Sequence, residues 1–141
     1  MSRNRFPLLV SAAVIARGTK ILVGQRRRGD RHALKWEFPG GKVEPGETPE
    51  QALVRELREE LAIECKVGRQ IAQYRHDYPK GVSVVLLFYV VADFEGEPTG
   101  KVFEQIQWAE RTLLPELDFL EGDIDFVQRL ARGEFEAKLL G

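Results

Sequence analysis

Apolar residues recur along this chain at two different periods, and each change of period marks a boundary between elements. Leu8 to Ala16 and Lys20 to Gln25 are β-rich runs joined by Arg17-Gly18-Thr19, so the chain opens on two strands and a short glycine-containing turn. A charged loop, Arg26 to Lys35, leads into Trp36-Glu37-Phe38 and then Pro39-Gly40-Gly41, where the glycine pair lets the backbone come close to a ligand. A helix follows, with Thr48 as N-cap, Pro49 at the first helical position and Gln51 completing a capping box. Leu53, Leu57 and Leu61 at i, i+4 and i+8 form its buried stripe. β-Branched and aromatic content predicts strands over Lys66 to Tyr74 and Ser83 to Val91, with Asp77-Tyr78-Pro79-Lys80-Gly81 as the turn region. Alternation at Val102, Ile106 and Trp108 predicts a further strand. A second helix is predicted from Ile124 to Phe135, with Ile124, Val127, Leu130 and Ala131 on one face. Strands interrupted by two amphipathic helices give an α/β class, with helices packed on a mixed sheet.

Composition narrows this picture. The 141 residues contain no repeat, low-complexity tract or linker, so one domain over residues 1–141 is expected. Lys and Arg number 21 against 22 Asp and Glu, which leaves no global field to hold a polyanion; no direct nucleic-acid binding is expected, and any anion must be gripped locally. The single cysteine, Cys65, excludes an internal disulfide framework and a cysteine-rich zinc site, and suggests a reducing cytoplasm. The longest apolar run, Val84 to Ala92, is far short of the ~18 residues of a membrane span. Arg3 and Arg5 ahead of Leu8 to Ala16 mimic a secretory signal, but the second β-rich run follows at once, and cleavage would delete a strand.

The chemistry is concentrated on the first helix. Glu56, Glu59 and Glu60 lie at i, i+3 and i+4 and share one face, with Glu56 and Glu60 flanking the leucine stripe. Three acids at the edge of a core repel one another and lose hydration, so at least one pKa is expected to rise and something positive is expected beside them. Hard divalent cations take such oxygen ligands, and Mg²⁺ in particular binds through a few carboxylates together with substrate phosphates. The alternative is a solvated face in which Arg55 and Arg58 answer the acids.

The residues from Gly41 to Ile63, GKVEPGETPEQALVRELREELAI, fit the pattern G-x5-E-x7-R-E-U-x-E-E-x-G-U, where U is a bulky aliphatic residue. On Gly41, Glu47, Arg55, Glu56, Leu57, Glu59, Glu60 and Ile63 the chain resembles the Nudix hydrolases, and KWEFPGGK, GEPTGK and Trp108 extend the likeness to the MutT-type members. Only Ala62 departs, standing where the family has glycine. Either it adopts a left-handed cap at a cost of ~1 kcal/mol, or the helix runs one residue further; neither moves a carboxylate.

The resemblance implies a Nudix-like α/β/α sandwich with a mixed β-sheet. It implies hydrolysis of a nucleoside triphosphate, or a related nucleoside diphosphate linked to another moiety, with Mg²⁺ or Mn²⁺. In the MutT-type subgroup a triphosphate and water give the monophosphate and pyrophosphate, and sanitising of oxidised purine nucleotides such as 8-oxo-dGTP is the expected activity. A pyrimidine triphosphate such as CTP, a dinucleoside polyphosphate, or a non-catalytic nucleotide-binding role are the alternatives, the last opposed by the retained acids. Glu56, Glu59 and Glu60 would bind metal and activate water together with the Gly40 carbonyl, and Glu47 would pair with Arg55. Arg26 and Lys42 match basic positions that hold phosphate, while Arg27, Arg28 and Arg31 read as a solvated loop. Asp123 either reads the base edge or only caps the last helix. Tyr78 and Phe38 are pocket aromatics or core. The extra carboxylate of some relatives aligns with Val102, with Glu104 two residues later. His32, His76 and Cys65 read as structural.

Overall fold

The structure, a computed structural model, describes residues 7–79 and 81–140; Arg3, Arg5 and Lys80 lie outside the described residues. Strand β1 (Leu8–Arg17) is central to the sheet. It runs antiparallel to β2 (Lys20–Gln25) and to the short β4 (Gly40–Lys42), and parallel to β7 (Ser83–Val91) from Leu8↔Val84 to Ile15↔Val91. Strand β3 (Trp36–Glu37) and β9 (Gln105–Glu110) pair with β2, and β6 (Gln70–Asp77) closes the other edge against β7. The result is the expected mixed sheet.

Both faces of this sheet are covered, and the alternation of β1 shows why. Ala13 and Ile15 point into a core with Leu53, Leu57, Leu61 and Leu22, beneath helix α1 (Pro49–Leu61). Ala12 and Val14 point the other way, into a core with Phe88, Phe126, Val127 and Leu130, beneath helix α2 (Ile124–Ala131). Successive side chains of a strand take opposite faces, so a run apolar at every position needs a helix on each side. This is an α/β/α sandwich. The aromatic group Phe38, Phe88, Phe119 and Phe126 fills the α2 side, with Phe88 and Phe126 stacked at 3.9 Å between centroids. Truncating one such fully buried ring would cost about 3–5 kcal/mol.

Helix α1 begins as its sequence dictates. Thr48 Oγ1 accepts the Gln51 amide at 3.1 Å, and the Gln51 side chain accepts the Thr48 amide at 2.9 Å. It ends on Ala62 at φ 60°, so the left-handed cap is adopted and the helix does not run on.

Several boundaries differ from expectation. The strand expected over Lys66 to Tyr74 is two pieces: β5 (Glu64–Lys66) pairs with β8 (Asp93–Glu95) in a separate ribbon, and β6 starts only at Gln70. The break falls where Gly68 donates to the Val90 carbonyl at 2.7 Å, an approach that a side chain at 68 would obstruct. Val102 lies outside β9 and is exposed. Helix α2 stops at Ala131 rather than Phe135, because Gly133 turns the chain at φ 87° and the Arg111 guanidinium caps the Leu130 and Ala131 carbonyls at 2.6 and 2.9 Å. A short helix, α3 (Glu136–Leu140), follows. The buried face of α2 is Phe126, Val127 and Leu130, with Ile124 exposed. No helix among the described residues is long and apolar enough to cross a membrane.

Candidate active site

Strand β4 brings backbone against the acidic edge of α1. The Gly40 amide donates to Glu60 Oε1 at 3.1 Å, and Arg55 Nη2 donates to the Lys42 carbonyl at 3.1 Å. Between them Gly41 lies so close to the Glu56 carboxylate that any side chain there would collide with it, and a side chain at Gly40 would strike the Ser11 carbonyl. Gly40 is therefore a steric requirement of the backbone contact, and a side chain at Gly41 would have to push the Glu56 carboxylate out of its place.

Arg55 organises the charges. It grips Glu47 with two hydrogen bonds, Nε to Oε2 at 2.7 Å and Nη2 to Oε1 at 3.0 Å, a bidentate geometry that fixes direction as well as adding strength. Its remaining Nη1 lies 3.2 Å from Glu59 and 3.5 Å from Glu56. Those bonds hold the Glu47 carboxyl down at about 2 and push the guanidinium up. Arg58 turns away to pair with Glu64 at 2.6 Å, so the solvated-face alternative, with two arginines answering the acids, is only half met.

Glu60 and Glu56 are less well compensated. Burial pushes the Glu60 carboxyl up to about 8, opposed by the Gly40 amide and reinforced by Glu37, Glu56 and Glu59. Burial also raises Glu56, with Arg55 pulling against it. Glu59 is the exposed member of the trio, with its side chain 59% accessible. Among the described residues no three acidic, histidine or cysteine side chains already stand at metal-ligand spacing. The donor set still fits a hard divalent ion: oxygens only, two of the acids desolvated, and the one cation touching them committed to Glu47.

A cavity of about 690 Å³ opens beside this edge. Glu60, Gly40, Lys42, Arg26, Phe38, Tyr78 and Asp123 are among its lining residues, whereas Glu56 and Glu59 are not. Arg26 is tied at 3.2 Å to Glu37 and at 2.7 Å to the Arg31 carbonyl. Lys42 is exposed. Phe38 is both core and cavity wall, 4% accessible and packed against three other rings. Tyr78 is half-buried, edge-on to His76 at 4.4 Å.

Asp123 does not cap α2: its side chain makes no capping bond, which removes that alternative. Among the described residues its carboxyl has no hydrogen-bond partner, it is 6% accessible, and burial, with Glu37 nearby, pushes it up to about 8. Two backbone bonds set its position, Trp36 N to Asp118 O at 2.9 Å and Leu120 N to Trp36 O at 3.0 Å, which clip the approach to α2 onto β3.

Glu37 is the residue that the sequence reading missed. It lines the same cavity, is raised by burial with Arg26 in opposition, and faces both Glu60 and Asp123 closely enough to raise them. The available signal was an acid between two aromatics, three residues ahead of Gly40. Arg27 is bound to the Lys101 and Phe103 carbonyls, and Arg31 lines the cavity, so that loop is only partly solvated. Glu104 is exposed and does not line the cavity; its amide bonds to Gln25 O at 2.8 Å. A second cavity, about 440 Å³, lies by Thr19, Arg111 and Glu136, where Arg111 is already engaged by the carbonyls at the end of α2.

This geometry has parallels among known proteins. The 8-oxo-dGTP diphosphatase of Escherichia coli strain K12 is 36% identical over 126 residues, 89% of this chain and 97% of its own. The CTP pyrophosphohydrolase of the same organism is 44% identical over 99 residues, 70% and 73% respectively. The solution structure of the E. coli ORF135 protein superposes with TM-score 0.81 at 37% identity, covering 93% of this chain and 91% of that one. A MutT NUDIX hydrolase from Burkholderia pseudomallei gives TM-score 0.78 at 28% identity, covering 89% and 98%. Residues 6–130 match the NUDIX domain, and with that span, the acids of α1 and the shared sandwich, the chain belongs to the NUDIX family of hydrolases, enzymes acting on phosphoric anhydride bonds.

Proposed function

We propose that residues 1–141 form a single Nudix domain that hydrolyses a nucleoside triphosphate to the monophosphate and pyrophosphate with Mg²⁺ or Mn²⁺, and that its substrate is an oxidised purine nucleotide such as 8-oxo-dGTP. The observation that carries this reading is one cavity lined both by the desolvated Glu60, held against the Gly40 amide, and by the buried carboxyl of Asp123, which has no hydrogen-bond partner among the described residues. Glu56, Glu59, Glu60 and the Gly40 carbonyl would hold the cation. Bound there, it would supply charge to neutralise phosphate oxygens and would lower the pKa of water.

The remaining work falls to side chains. Arg26 and Lys42 donate to phosphate oxygens. Glu47 holds Arg55, and Arg55 in turn spaces Glu56 and Glu59. Proton transfer from the attacking water belongs to the coupled acids as a set, since acids this close do not titrate singly. Asp123 meets the base edge, with Phe38 and Tyr78 supplying apolar walls.

The second reading, a CTP hydrolase, draws on the relative at 44% identity, named a CTP pyrophosphohydrolase, and on the chemistry of Asp123, since the carbonyl oxygen of its carboxyl can accept from the cytosine amino group. A panel of 8-oxo-dGTP, dGTP, CTP and a dinucleoside polyphosphate, assayed for product release with Mg²⁺, tests both. Higher kcat/KM for 8-oxo-dGTP than for dGTP is expected. Equal values sink the oxidised-purine assignment, a preference for CTP establishes the second reading, and no hydrolysis of any nucleotide with either metal removes the enzyme.

A further inference from the structure

Besides Asp123, the buried polar side chain among the described residues is Ser11, fully inaccessible in the middle of β1. Its hydroxyl crosses from the sheet to donate to the Pro49 carbonyl, in the first turn of α1, at 2.7 Å. That carbonyl already has a donor within the helix by the ordinary i to i−4 pattern, so the helix does not need Ser11 to satisfy it. Nor does the core need a hydroxyl, since Ala12 and Ala13 follow in the same strand. What the bond does is join a fixed strand to the backbone of a helix end.

Ser11 also sits at the register point of the site. It pairs with Gly41 across β1 and β4, and its carbonyl is the atom that forbids a side chain at Gly40. One residue thus touches both bodies that must be aligned, the glycine strand through its backbone and the helix through its side chain. A helix moves along its axis as a rigid rod, and Glu56 lies about 10 Å beyond Pro49 on that rod. A slide at Pro49 is passed on undiminished to the acids. We infer that Ser11 is a positioning residue for the metal site proposed above, pinning α1 axially so that Glu56 and Glu60 stay in register with Gly40 and Gly41.

The inference rests on that reading of the site, and calorimetric titration with Mn²⁺ alone separates the two. Ser11→Ala removes the pin. Ser11→Cys fills the same space with a weak donor and serves where alanine leaves a gap that unfolds the chain. In both folded variants Mn²⁺ affinity is expected to fall about tenfold, the size typical of losing a group that orients ligands. At saturating metal, kcat is expected to fall while KM for the nucleotide holds. A purely structural serine would lower the unfolding temperature and leave Mn²⁺ affinity and kcat untouched, and that result in either folded variant overturns the inference. A wild-type chain that takes up no Mn²⁺ overturns the site reading and the inference together; uptake by wild type and variants alike overturns the inference alone.

Discussion

Glu47, just before α1, accepts two hydrogen bonds from Arg55 and one from the Glu44 amide, and its carboxyl is held at about 2. Asp123, just before α2, has no hydrogen-bond partner among the described residues and stands at about 8. Both are acids next to a helix start, yet one is fixed as an anion by its hydrogen-bond donors, while burial, with the Glu37 charge nearby, favours the neutral form of the other. A partnered charge positions other groups, whereas an unpartnered buried one is available to something that enters the cavity. Under the proposed function, the phosphate-facing group is thus a rigid frame and the base-facing one an open hydrogen-bonding contact.

The largest effect expected from disturbing this contrast lies among the acids that Arg55 spaces. Glu56→Gln and Glu59→Gln should lower turnover by about 10²–10⁴-fold with little change in nucleotide binding, because the proposed function puts both metal-holding and proton-handling on these carboxylates. Steady-state kinetics and nucleotide titration check this, and unchanged turnover would remove the residue from the mechanism. Glu47→Gln should cost less, about 10–100-fold, since it only loosens the arginine that sets their spacing.

The same variant has a pH signature in unfolding experiments. The Glu47 carboxyl drops from 4.5 to about 2 on folding, so its stabilisation is complete above about pH 4.5 and is lost as pH falls toward 2. The difference in unfolding midpoint between wild type and Glu47→Gln should therefore close over that window. Asp123 has the opposite sign. Its carboxyl rises from 3.8 to about 8, so the folded state holds a proton that the unfolded state has released, and wild-type stability declines as pH rises through this range. Asp123→Asn carries no such slope and should gain on wild type from pH 5 to pH 9. In the nucleotide panel it should change kcat/KM by about 10–100-fold for the preferred base and far less for the others. A uniform change across all bases would place Asp123 outside base recognition.

The smallest effect concerns neither group. Ala62 sits at φ 60°, where glycine is unstrained, so Ala62→Gly should stabilise the fold by about 1 kcal/mol and leave turnover as it is. Thermal unfolding and a single assay suffice to test it.

What could be read from sequence follows the range of the physics involved. Thr48, Pro49 and Gln51 act on one another within a turn, so the start of α1 was legible residue by residue, and the spacing of Leu53, Leu57 and Leu61 fixed its buried face. The acids were legible because they share that helix. Strand β4 was not, because three residues with two glycines carry no alternation, and only pairing with Val10, Ser11 and Ala12 makes them a strand. Glu37 was overlooked for a similar reason: its significance depends on Glu60 and Asp123, which the fold alone brings near it. The end of α2 needed Arg111, a residue from another element, as well as Gly133.

The clip between Trp36 and residues 118–120 is made by main-chain atoms. The bonds themselves ask for no particular side chain, but the clipped segment is also anchored by its own: Phe119 is buried and stacked on Phe38, and Asp118 accepts from Lys35 Nζ at 2.8 Å. Variation that keeps this attachment is therefore confined to positions beyond Phe119, among them Leu120 and Asp123 on the cavity wall. Under the proposed role of Asp123, changes at those few positions would suffice to turn the scaffold toward a new nucleobase.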